Sequence, residues 1–326
     1  MTQLIIVKVF RGLPNSEHCA PCALTIGNFD GVHRGHQALL ARVCAAASAR
    51  MLPVCVMTFE SHPREFFDPD GAPPRIAMLR DKLEALRCSG VDQVVVEHFN
   101  HRFADQSPGS FVEHTIVNGL RARWIMIGDD FRYGAKRAGD FLSLRADSIR
   151  YGFEVEQMPT VSGPSGMRIS SSDIRASLLA GDLHSARTTL GRAIIISGHV
   201  VHGMKVGRDL GFPTLNLPIL HKRPALAGIF IVRVRGIEAN PLPGVASLGW
   251  RPSVANFSRP LLEIHLLDWH GNAYGKLVRV EFLEKLRDEQ KFIDLEELIR
   301  AIVCDIARAR EYFAEHSALA AAKPLT

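Results

Sequence analysis

The chain has 326 residues, of which 47% are hydrophobic, and its formal net charge is +5. This length exceeds what one hydrophobic core normally covers, so we expect two domains. The positive charges form no block and aromatic residues make up only 7%, which argues against a nucleic-acid-binding protein. No apolar run approaches 18 residues and no signal peptide is evident, so we expect a cytoplasmic protein without a membrane partner.

The first half of the chain alternates short apolar runs with helical patterns. The helical segments are His36–Arg50 and Arg75–Gly90. The apolar runs predict buried strands at Leu24–Gly27, Leu52–Phe59, Val91–Glu97, Trp124–Gly128 and Phe153–Met158. Such alternation predicts a parallel sheet covered by helices on both faces, with ligands bound at the carboxyl ends of its strands.

The pattern changes in the second half. A helical segment runs from Ile169 to about Leu190, and the chain then contains Gly- and Pro-rich turns. Between the turns we predict strands at Ile194–His202, Gly228–Val234, Leu261–Trp269 and Leu277–Phe282. This composition is typical of an antiparallel sheet or barrel. We therefore predict two domains, residues 1–187 and 188–326.

A final helix is expected after Asp294, which is a suitable N-cap. Its predicted apolar stripe comprises Leu295, Leu298, Ile299, Ile302, Ile306 and Ala309.

The cysteines indicate no disulfide framework. Cys19 and Cys22 have the spacing of half a zinc site, but no second pair follows, so a metal site there is not favoured. The others stand singly in apolar runs and are predicted to be reduced core thiols: Cys44, Cys55, Cys88 and Cys304.

The most informative stretch runs from Thr25 to His36, where a predicted strand meets a helix. It contains His33 and His36, and glycines at positions 27, 31 and 35. Glycines permit a sharp turn and close approach to a ligand, and a helix N-terminus attracts anions. The pattern favours reaction at a phosphate chain. The spacing of the histidines by itself also allows an incomplete zinc site or surface residues.

A second candidate phosphate segment surrounds Ser170–Ser172. Hydroxyls and backbone N–H groups at the start of a helix, together with Arg168 and Arg175, can hold phosphate oxygens. An ordinary N-cap is the alternative explanation.

A Gly-rich string from Gly198 to Asn216 is the corresponding feature of the second half. Its glycines, with Lys205 and Arg208, can wrap a triphosphate. Thr214 and Asn216 are two residues apart and offer neutral oxygen ligands of the kind that suit ATP-bound Mg²⁺. A simple turn entering a strand remains the alternative.

Strict alternation marks the segment from Leu261 to Trp269. Leu262, Ile264 and Leu266 fall on one face, and Glu263 and His265 fall on the other. The apolar face is expected in the core, so Glu263 can reach a cleft and act as a base. A solvated residue on the outer face is the alternative.

These segments together resemble one known family. Gly27–His36 resembles the nucleotidylyltransferase signature, in detail that of the FMN adenylyltransferase module of bifunctional bacterial riboflavin kinase/FAD synthetases. Gly198–Asn216 resembles the riboflavin kinase signature, and Leu261–Trp269 resembles its catalytic strand. Three further segments resemble the adenylyltransferase module in order: Phe59–Phe66, Gly128–Gly134 and Arg168–Arg175.

The resemblance implies an α/β, Rossmann-like nucleotidylyltransferase domain followed by a β-barrel riboflavin kinase domain with a terminal helix. The implied reactions are the ATP-dependent phosphorylation of riboflavin to FMN and the adenylylation of FMN to FAD with release of pyrophosphate. Mg²⁺ is the implied cofactor. The expected partners are small molecules, not nucleic acid, and the expected state is a monomer or weak homo-oligomer.

The resemblance also implies site residues. His33 and His36 stabilise charge on the α-phosphate of ATP, and Glu263 is the base for the ribityl hydroxyl. Phe131 and Tyr133 are candidates for contact with the isoalloxazine ring. Thr214 and Asn216 are the metal ligands. The implied nucleotide- and phosphate-binding residues are Gly27, Asn28, Phe29, Asp30, Gly35, Asp130, Arg168, Ser171, Ser172, Arg175, Gly203, Lys205, Gly207 and Arg208.

The chain departs from the family pattern at a few positions. Ser61 stands in the second motif where Pro is usual, and Ser247 and Ser253 replace the commoner Asn and Thr near the kinase pocket. The kinase departures leave open a single-activity enzyme whose other module has become a flavin-binding regulator. A nucleic-acid-binding protein that uses its basic surface is the rival of another class.

Overall fold

The computed structural model describes residues 7–15, 20–161, 168–203, 206–219, 223–250 and 260–321. The chain divides into two compact units, Met1–Pro73 with Leu79–Ser171 and Pro74–Met78 with Ser172–Thr326. Among the described residues, no helix combines the length and the apolar character needed to cross a bilayer.

The first unit is built on a six-stranded sheet in which all neighbouring strands are parallel. The strand order is β1-β4-β3-β2-β5-β6. The strands are β1 Lys8–Arg11, β2 Cys22–Ile26, β3 Val54–Phe59, β4 Gln93–Glu97, β5 Ala122–Gly128 and β6 Glu154–Met158.

This strand order creates a switch point beside β2. The chain proceeds from β2 to β3 and β4 on one side and then crosses to β5 and β6 on the other side. In open α/β sheets the ligand crevice lies outside the carboxyl ends of the strands at such a point. The segments that follow β2 and β5 carry His33, His36 and Asp130.

Helices cover this sheet. They are α1 Arg34–Ala49, α2 Pro63–Phe67, α3 Leu79–Cys88, α4 His101–Ala104, α5 Pro108–Ser110, a π-helix at Phe111–Gly119, a 3₁₀ turn at Ala135–Arg137, and α6 Phe141–Tyr151. The predicted apolar face of α1 is confirmed, because Leu39, Leu40, Val43 and Ala47 are buried. Cys44, predicted on the same face, is half-buried.

The second unit contains a six-stranded antiparallel sheet in the order β7-β12-β9-β10-β11-β8. Its strands are β7 Ile194–His199, β8 Leu215–Pro218, β9 Gly228–Arg235, β10 Leu242–Trp250, β11 Pro260–Leu266 and β12 Leu277–Arg287. An isolated bridge between Val201 and Asn216 links the two edges of the sheet. The sheet is therefore a nearly closed barrel, as the sequence predicted.

Four helices accompany the barrel: α7 Ser171–Leu179, α8 Leu183–Leu190, α9 Val206–Asp209 and α10 Leu295–Ala321. Asp294 caps α10 by accepting a hydrogen bond from the Glu297 amide at 2.8 Å, as expected of an N-cap. Ala309 is buried against the barrel together with Leu283 and Leu286. The prediction for Leu295 was wrong, because this side chain is 53% exposed on the first turn of the helix.

Several other sequence expectations require correction. The helix predicted to begin at Arg75 begins at Leu79, because Arg75 forms a bridge with Pro224 in the second unit. The single helical segment predicted up to Leu190 is two helices, separated by Gly181 at φ +77°. Strands β1 and β10 and helix α6 were not predicted.

The cysteines also differ from expectation. Cys22 and Cys55 are buried free thiols, whereas Cys88 and Cys304 are exposed, so the expectation that they are core thiols was wrong. Both lie on helices at positions that face solvent. Cys19 lies outside the described residues. No group of three His, Cys, Asp or Glu side chains within the described part of the chain can hold a metal ion.

The boundary between the domains stays a prediction. Helices α7 and α8 contribute Ile174, Leu178, Leu183, Ala186 and Leu190 to the core of the second unit. Compactness therefore places the division before these helices, whereas the sequence pattern placed it after residue 187.

Candidate active sites

The histidine motif forms the N-terminus of α1. His33 is the N-cap residue, and its Nδ1 atom accepts a hydrogen bond from the backbone N–H of His36 at 3.3 Å. Because Nδ1 is an acceptor, the neutral ring carries its proton on Nε2. In this tautomer Nε2 is the ring nitrogen that can donate a hydrogen bond.

The two imidazole rings are stacked on each other. Their centroids are 3.6 Å apart with an interplanar angle of 18°, and the Phe29 ring lies 5.0 Å from that of His36. Burial lowers the pKa of His36 well below its usual value, and the charges of His33 and Lys82 lower it further. In the part of the chain described, the buried Nδ1 atom of His36 has no hydrogen-bond partner.

Gly35 allows this stacking. A Cβ atom at Gly35 would lie 3.2 Å from Cε1 and Nδ1 of His33, and 3.5 Å from the carbonyl oxygen of Ile169. The preceding turn adopts positive φ angles at Phe29 (47°), Gly31 (82°) and Val32 (42°). Such angles are unfavourable for Phe and Val, so surrounding contacts must hold this turn in place.

Part of the predicted phosphate segment lies beside the histidine motif. The Ser171 hydroxyl donates a hydrogen bond to the carbonyl oxygen of Asp30 at 3.1 Å, and Asp30 itself is only 6% exposed. The first unit thereby brings together two segments that are 141 residues apart in the sequence.

Arg168 and Asp130, both predicted to bind nucleotide, contact each other. Their side chains form an ion pair of 2.7 Å, and Asp129 lies 3.6 Å from the same guanidinium nitrogen. This pair is largely exposed. A bound triphosphate would compete with the two carboxylates for Arg168.

Ser172 and Arg175 belong to the second unit. There the Nε atom of Arg175 donates to the carbonyl oxygen of Pro74 at 2.8 Å. The phosphate-binding role of these two residues stays a prediction of the sequence.

The two aromatic candidates differ in exposure. Phe131 and Tyr133 have nearly parallel rings with centroids 5.7 Å apart. Tyr133 is 5% exposed and its hydroxyl contacts Ser143, so it belongs to the core of the first unit. Phe131 is half-buried.

The second site is a polar row across the barrel. Glu263 on β11 is directly opposite Asn216 on β8 and Ser247 on β10 in the strand register. Residues directly opposite each other in antiparallel strands project from the same face. The alternation predicted for β11 is confirmed, since Leu262, Ile264 and Leu266 are buried on the opposite face.

Asn216 is held tightly in this row. It is 6% exposed, and its Nδ2 atom donates to the carbonyl oxygen of Thr214 at 3.3 Å. A Cβ atom at Gly203 would lie 2.5 Å from that amide nitrogen, so only glycine fits there. At Gly207 an added Cβ would lie 2.6 Å from the Phe212 carbonyl oxygen. Both glycines therefore permit close approach of the loop to its neighbours.

The rest of the predicted phosphate loop is less defined. Arg208 is exposed on α9, and Lys205 lies outside the described residues, as does Ser253. The prediction for Lys205 is accordingly untested.

The sequence did not identify Glu289. Its Oε1 atom accepts a hydrogen bond from the Ser247 hydroxyl at 3.4 Å, and its carboxylate fills the space above Gly249. Burial raises the pKa of Glu289, and the negative charge of Glu263 raises it further. The polar row thus includes a second carboxyl group.

Comparison with known proteins decides the family. Residues 15–173 match the model of FAD synthetase, and residues 190–313 match the model of riboflavin kinase. A protein described as bifunctional riboflavin kinase/FMN adenylyltransferase from Escherichia coli (strain K12) is 44% identical over 309 residues, which cover 94% of this chain and 98% of the relative. The chain belongs to the bifunctional riboflavin kinase/FMN adenylyltransferase family. Its first unit carries the FAD synthetase match, and its barrel carries the riboflavin kinase match.

Other relatives agree with this assignment to the bifunctional family. Proteins of the same description from Pseudomonas fluorescens and Haemophilus influenzae are 44% and 42% identical, and each match covers at least 93% of both chains. A crystal structure described as a macrolide-efflux protein from Streptococcus pneumoniae matches with a TM-score of 0.74 and 28% identity, covering 94% of this chain and 99% of that one. The word efflux describes the Streptococcus pneumoniae protein alone. Its structural similarity to this chain supports the fold described above.

Sequence analysis did not identify two polar residues that lie near His33 and His36. Thr58 is fully buried and donates to the carbonyl oxygen of Asn28 at 3.0 Å, and Lys82 is 8% exposed and donates to the same oxygen at 2.8 Å. A signal for Lys82 was present, because Leu79, Leu83 and Leu86 place it on the apolar face of α3 by helical spacing.

Proposed function

We propose that the two reactions of this bifunctional enzyme are divided between its two units, with one set of residues for each. In the first unit, the site for the transfer of AMP from ATP to FMN is centred on His33 and His36. In the barrel, the site for the phosphorylation of riboflavin is centred on Glu263 and Asn216. The observation that carries the proposal is the stacked histidine pair at a helix N-terminus, at the switch point of a parallel sheet.

In the adenylyl transfer, an oxygen of the FMN phosphate attacks the α-phosphorus of ATP, and the bond to the β-phosphate breaks to release pyrophosphate. No covalent intermediate is required. We expect the Nε2–H group of His33 and backbone N–H groups at the N-terminus of α1 to donate to the α-phosphate as its charge increases. The catalytic contribution is electrostatic stabilisation with positioning.

His36 is neutral in the free enzyme, because its pKa is lowered mainly by burial. The negative charge of a bound triphosphate acts in the opposite direction and favours the protonated ring. A bound triphosphate is therefore expected to raise the pKa of His36 relative to the free enzyme. Ser171, Asn28 and Asp30 position the loop, and Arg168 exchanges the Asp130 carboxylate for phosphate oxygens.

In the kinase reaction, Glu263 accepts the proton of the ribityl hydroxyl that attacks the γ-phosphorus of ATP. The register places Asn216 and Ser247 on either side of Glu263, which supports a shared polar surface for the reacting groups. Gly203 and Gly207 allow the loop to wrap the phosphates. Positioning is expected to supply most of the rate.

Mg²⁺ fits the donor set near Thr214 and Asn216. Both residues supply neutral oxygens, and within the described residues there is no cluster of acidic or His ligands that could cage a metal without substrate. Mg²⁺ commonly binds through one or two protein oxygens together with ATP phosphates. When bound, the ion neutralises phosphate charge.

Location and partners are also proposals. We expect a cytoplasmic enzyme that acts as a monomer or weak homo-oligomer and has no nucleic-acid partner. The support is compositional, since the net charge of +5 is not concentrated in a block.

Two variants test the division of the reactions. His36→Ala removes a ring from the first site, so FAD formation from FMN is expected to fall at least about 100-fold. Its FMN formation from riboflavin should stay within about twofold of the unchanged enzyme. Glu263→Gln keeps the shape of the side chain but removes the base, so FMN formation should fall about 100-fold while added FMN still becomes FAD.

Chromatography of flavins in time courses started from riboflavin and from FMN measures both steps. Each variant serves as the folding control of the other. If either substitution silenced both reactions in a protein that unfolds cooperatively, the assignment of one site to each unit would be overturned.

A further inference from the structure

Helix α3 carries a lysine in an unusual position. Lys82 is only 8% exposed, although an ammonium group is rarely buried unless its charge is compensated. Its neighbours on the same helix face are Leu83 and Leu86, which pack in the core beneath the sheet. Because burial of an ammonium charge is energetically unfavourable, the position of Lys82 indicates a specific role for this group.

The ammonium group joins the ends of two neighbouring strands. Nζ lies 2.8 Å from the carbonyl oxygen of Asn28, 3.3 Å from the Thr58 hydroxyl and 3.5 Å from the carbonyl oxygen of Phe59. Asn28 follows β2, whereas Thr58 and Phe59 end β3. The Thr58 hydroxyl also donates to the Asn28 oxygen, at 3.0 Å. Two donors therefore fix one carbonyl group.

That carbonyl begins the strained turn of the histidine motif. The next residue, Phe29, has a φ angle of 47°, and its ring lies 5.0 Å from that of His36. A turn with unfavourable backbone angles persists only when surrounding contacts determine it. The bonds to the Asn28 oxygen are contacts of this kind.

The charge of Lys82 also affects the pKa of His36. It is one of the three influences that lower the pKa of His36, after burial and the charge of His33. The ammonium group thus lies close enough to act electrostatically on the site while it donates to two backbone carbonyl groups and the Thr58 hydroxyl.

We propose that Lys82 is a positioning residue for adenylyl transfer: by holding the Asn28 carbonyl group at the carboxyl end of β2, it keeps the turn and the stacked histidines in the geometry that the reaction needs. This inference rests on the proposed function of His33 and His36. Lys82 acts through the loop and makes no contact with substrate. Displacement of reacting groups by about 1 Å can cost about 100-fold in rate, so a support of this kind has a measurable effect.

The test compares four variants in steady-state assays of both reactions. Lys82→Met keeps the approximate volume but removes the donors, and the kcat for FAD formation is expected to fall about 30-fold, with KM for ATP and FMN changed less than about threefold. Lys82→Arg keeps a donor and a charge and should recover much of the lost kcat. Thr58→Val removes the second donor to the Asn28 oxygen, and its kcat should lie between those of Lys82→Met and Lys82→Arg.

Arg87→Met is the matched control, because Arg87 lies on the same helix but pairs with Glu84 at the surface. It should leave both reactions unchanged. FMN formation from riboflavin reports on folding of the rest of the chain and should stay within about twofold in all four variants.

An unchanged kcat in Lys82→Met would overturn the proposal, as would a rise in KM with kcat retained. If Lys82→Met failed to fold, Lys82→Arg and Thr58→Val decide: full activity of Thr58→Val would overturn the positioning role. His36→Ala distinguishes a failure of the proposed function from a failure of the proposed role of Lys82. If His36→Ala kept FAD formation, the proposed function would fail. If His36→Ala lost FAD formation while Lys82→Met kept it, only the role of Lys82 would be refuted.

Discussion

At the scale of single residues, the stacked histidine pair proposed for adenylyl transfer depends on the absence of a side chain at Gly35. The ring of His33 lies next to the space that a side chain at position 35 would need, and the ring of His36 is stacked against it. The glycine between the histidines therefore has a steric role, in addition to its place at the N-terminus of a helix.

Gly35→Ala should separate activity from stability. The added methyl group lies 3.2 Å from the His33 ring, which must move by a few tenths of an ångström, so kcat for FAD formation is expected to fall about tenfold. Gly35 is inside α1 and has no positive φ angle, so alanine should stabilise the helix by up to about 1 kcal/mol. The measurements are kcat from FMN and the midpoint of thermal unfolding. An unchanged kcat for FAD formation would contradict this steric explanation.

At the scale of elements, α10 is attached to the barrel by two ion pairs that differ in burial. Arg287 at the end of β12 contacts both carboxylate oxygens of Asp305 at 2.7–3.1 Å, and Asp305 is 4% exposed. Arg310 pairs with Asp268 at 2.6 Å, but both of these side chains are more than half exposed. Removing one partner is costly in a buried pair and has little effect in an exposed one.

Asp305→Ala is therefore expected to destabilise the second unit by about 3 kcal/mol, because Arg287 loses its buried counter-charge. Arg310→Ala, on the same helix, should leave the urea midpoint nearly unchanged. Loss of kinase activity during urea titration reports on the barrel, and FAD formation from FMN reports on the first unit. Equal shifts for the two variants would show that burial does not distinguish the pairs.

At the scale of the whole molecule, each unit contains a complete architecture of its own kind. One is a parallel sheet with its proposed site at a switch point, and the other is a barrel with its proposed site on a polar row. The product of the kinase reaction is the substrate of the adenylyltransferase reaction. The two sites can therefore act in sequence through FMN released into solution.

A mixture of the two variants, each expected to lose one reaction, tests whether FMN passes between the sites through solution. His36→Ala is expected to make FMN but little FAD, and Glu263→Gln is expected to make FAD only from added FMN. An equimolar mixture supplied with riboflavin, ATP and Mg²⁺ should form FAD after a lag during which FMN accumulates. If FMN formed but stayed bound to the His36→Ala protein and no FAD followed, transfer through solution would be refuted.

Much of this organisation was predictable from local patterns. The apolar runs of the first half form β2 to β6, and alternation on β11 placed Leu262 in the core and Glu263 on the opposite face. Where prediction failed, local and tertiary preferences conflict. β10 contains Pro243, Gly244 and Gly249, which usually mark turns, yet it pairs with β9 and β11 on both sides. The four-residue β1 is an edge strand with too short a pattern to detect.

The sequence by itself determined the two architectures and the order of the motifs, and it predicted roles for His33, His36, Asn216 and Glu263, because periodicity and residue type are local properties of the chain. Only the tertiary structure decided which distant residues meet. The contact between Asp30 and Ser171 and the register that aligns Asn216, Glu263 and Ser247 depend on strand order and pairing. The burial of Lys82 under the Asn28 carbonyl group likewise depends on how α3 packs. These contacts arise from long-range packing, which no local pattern encodes.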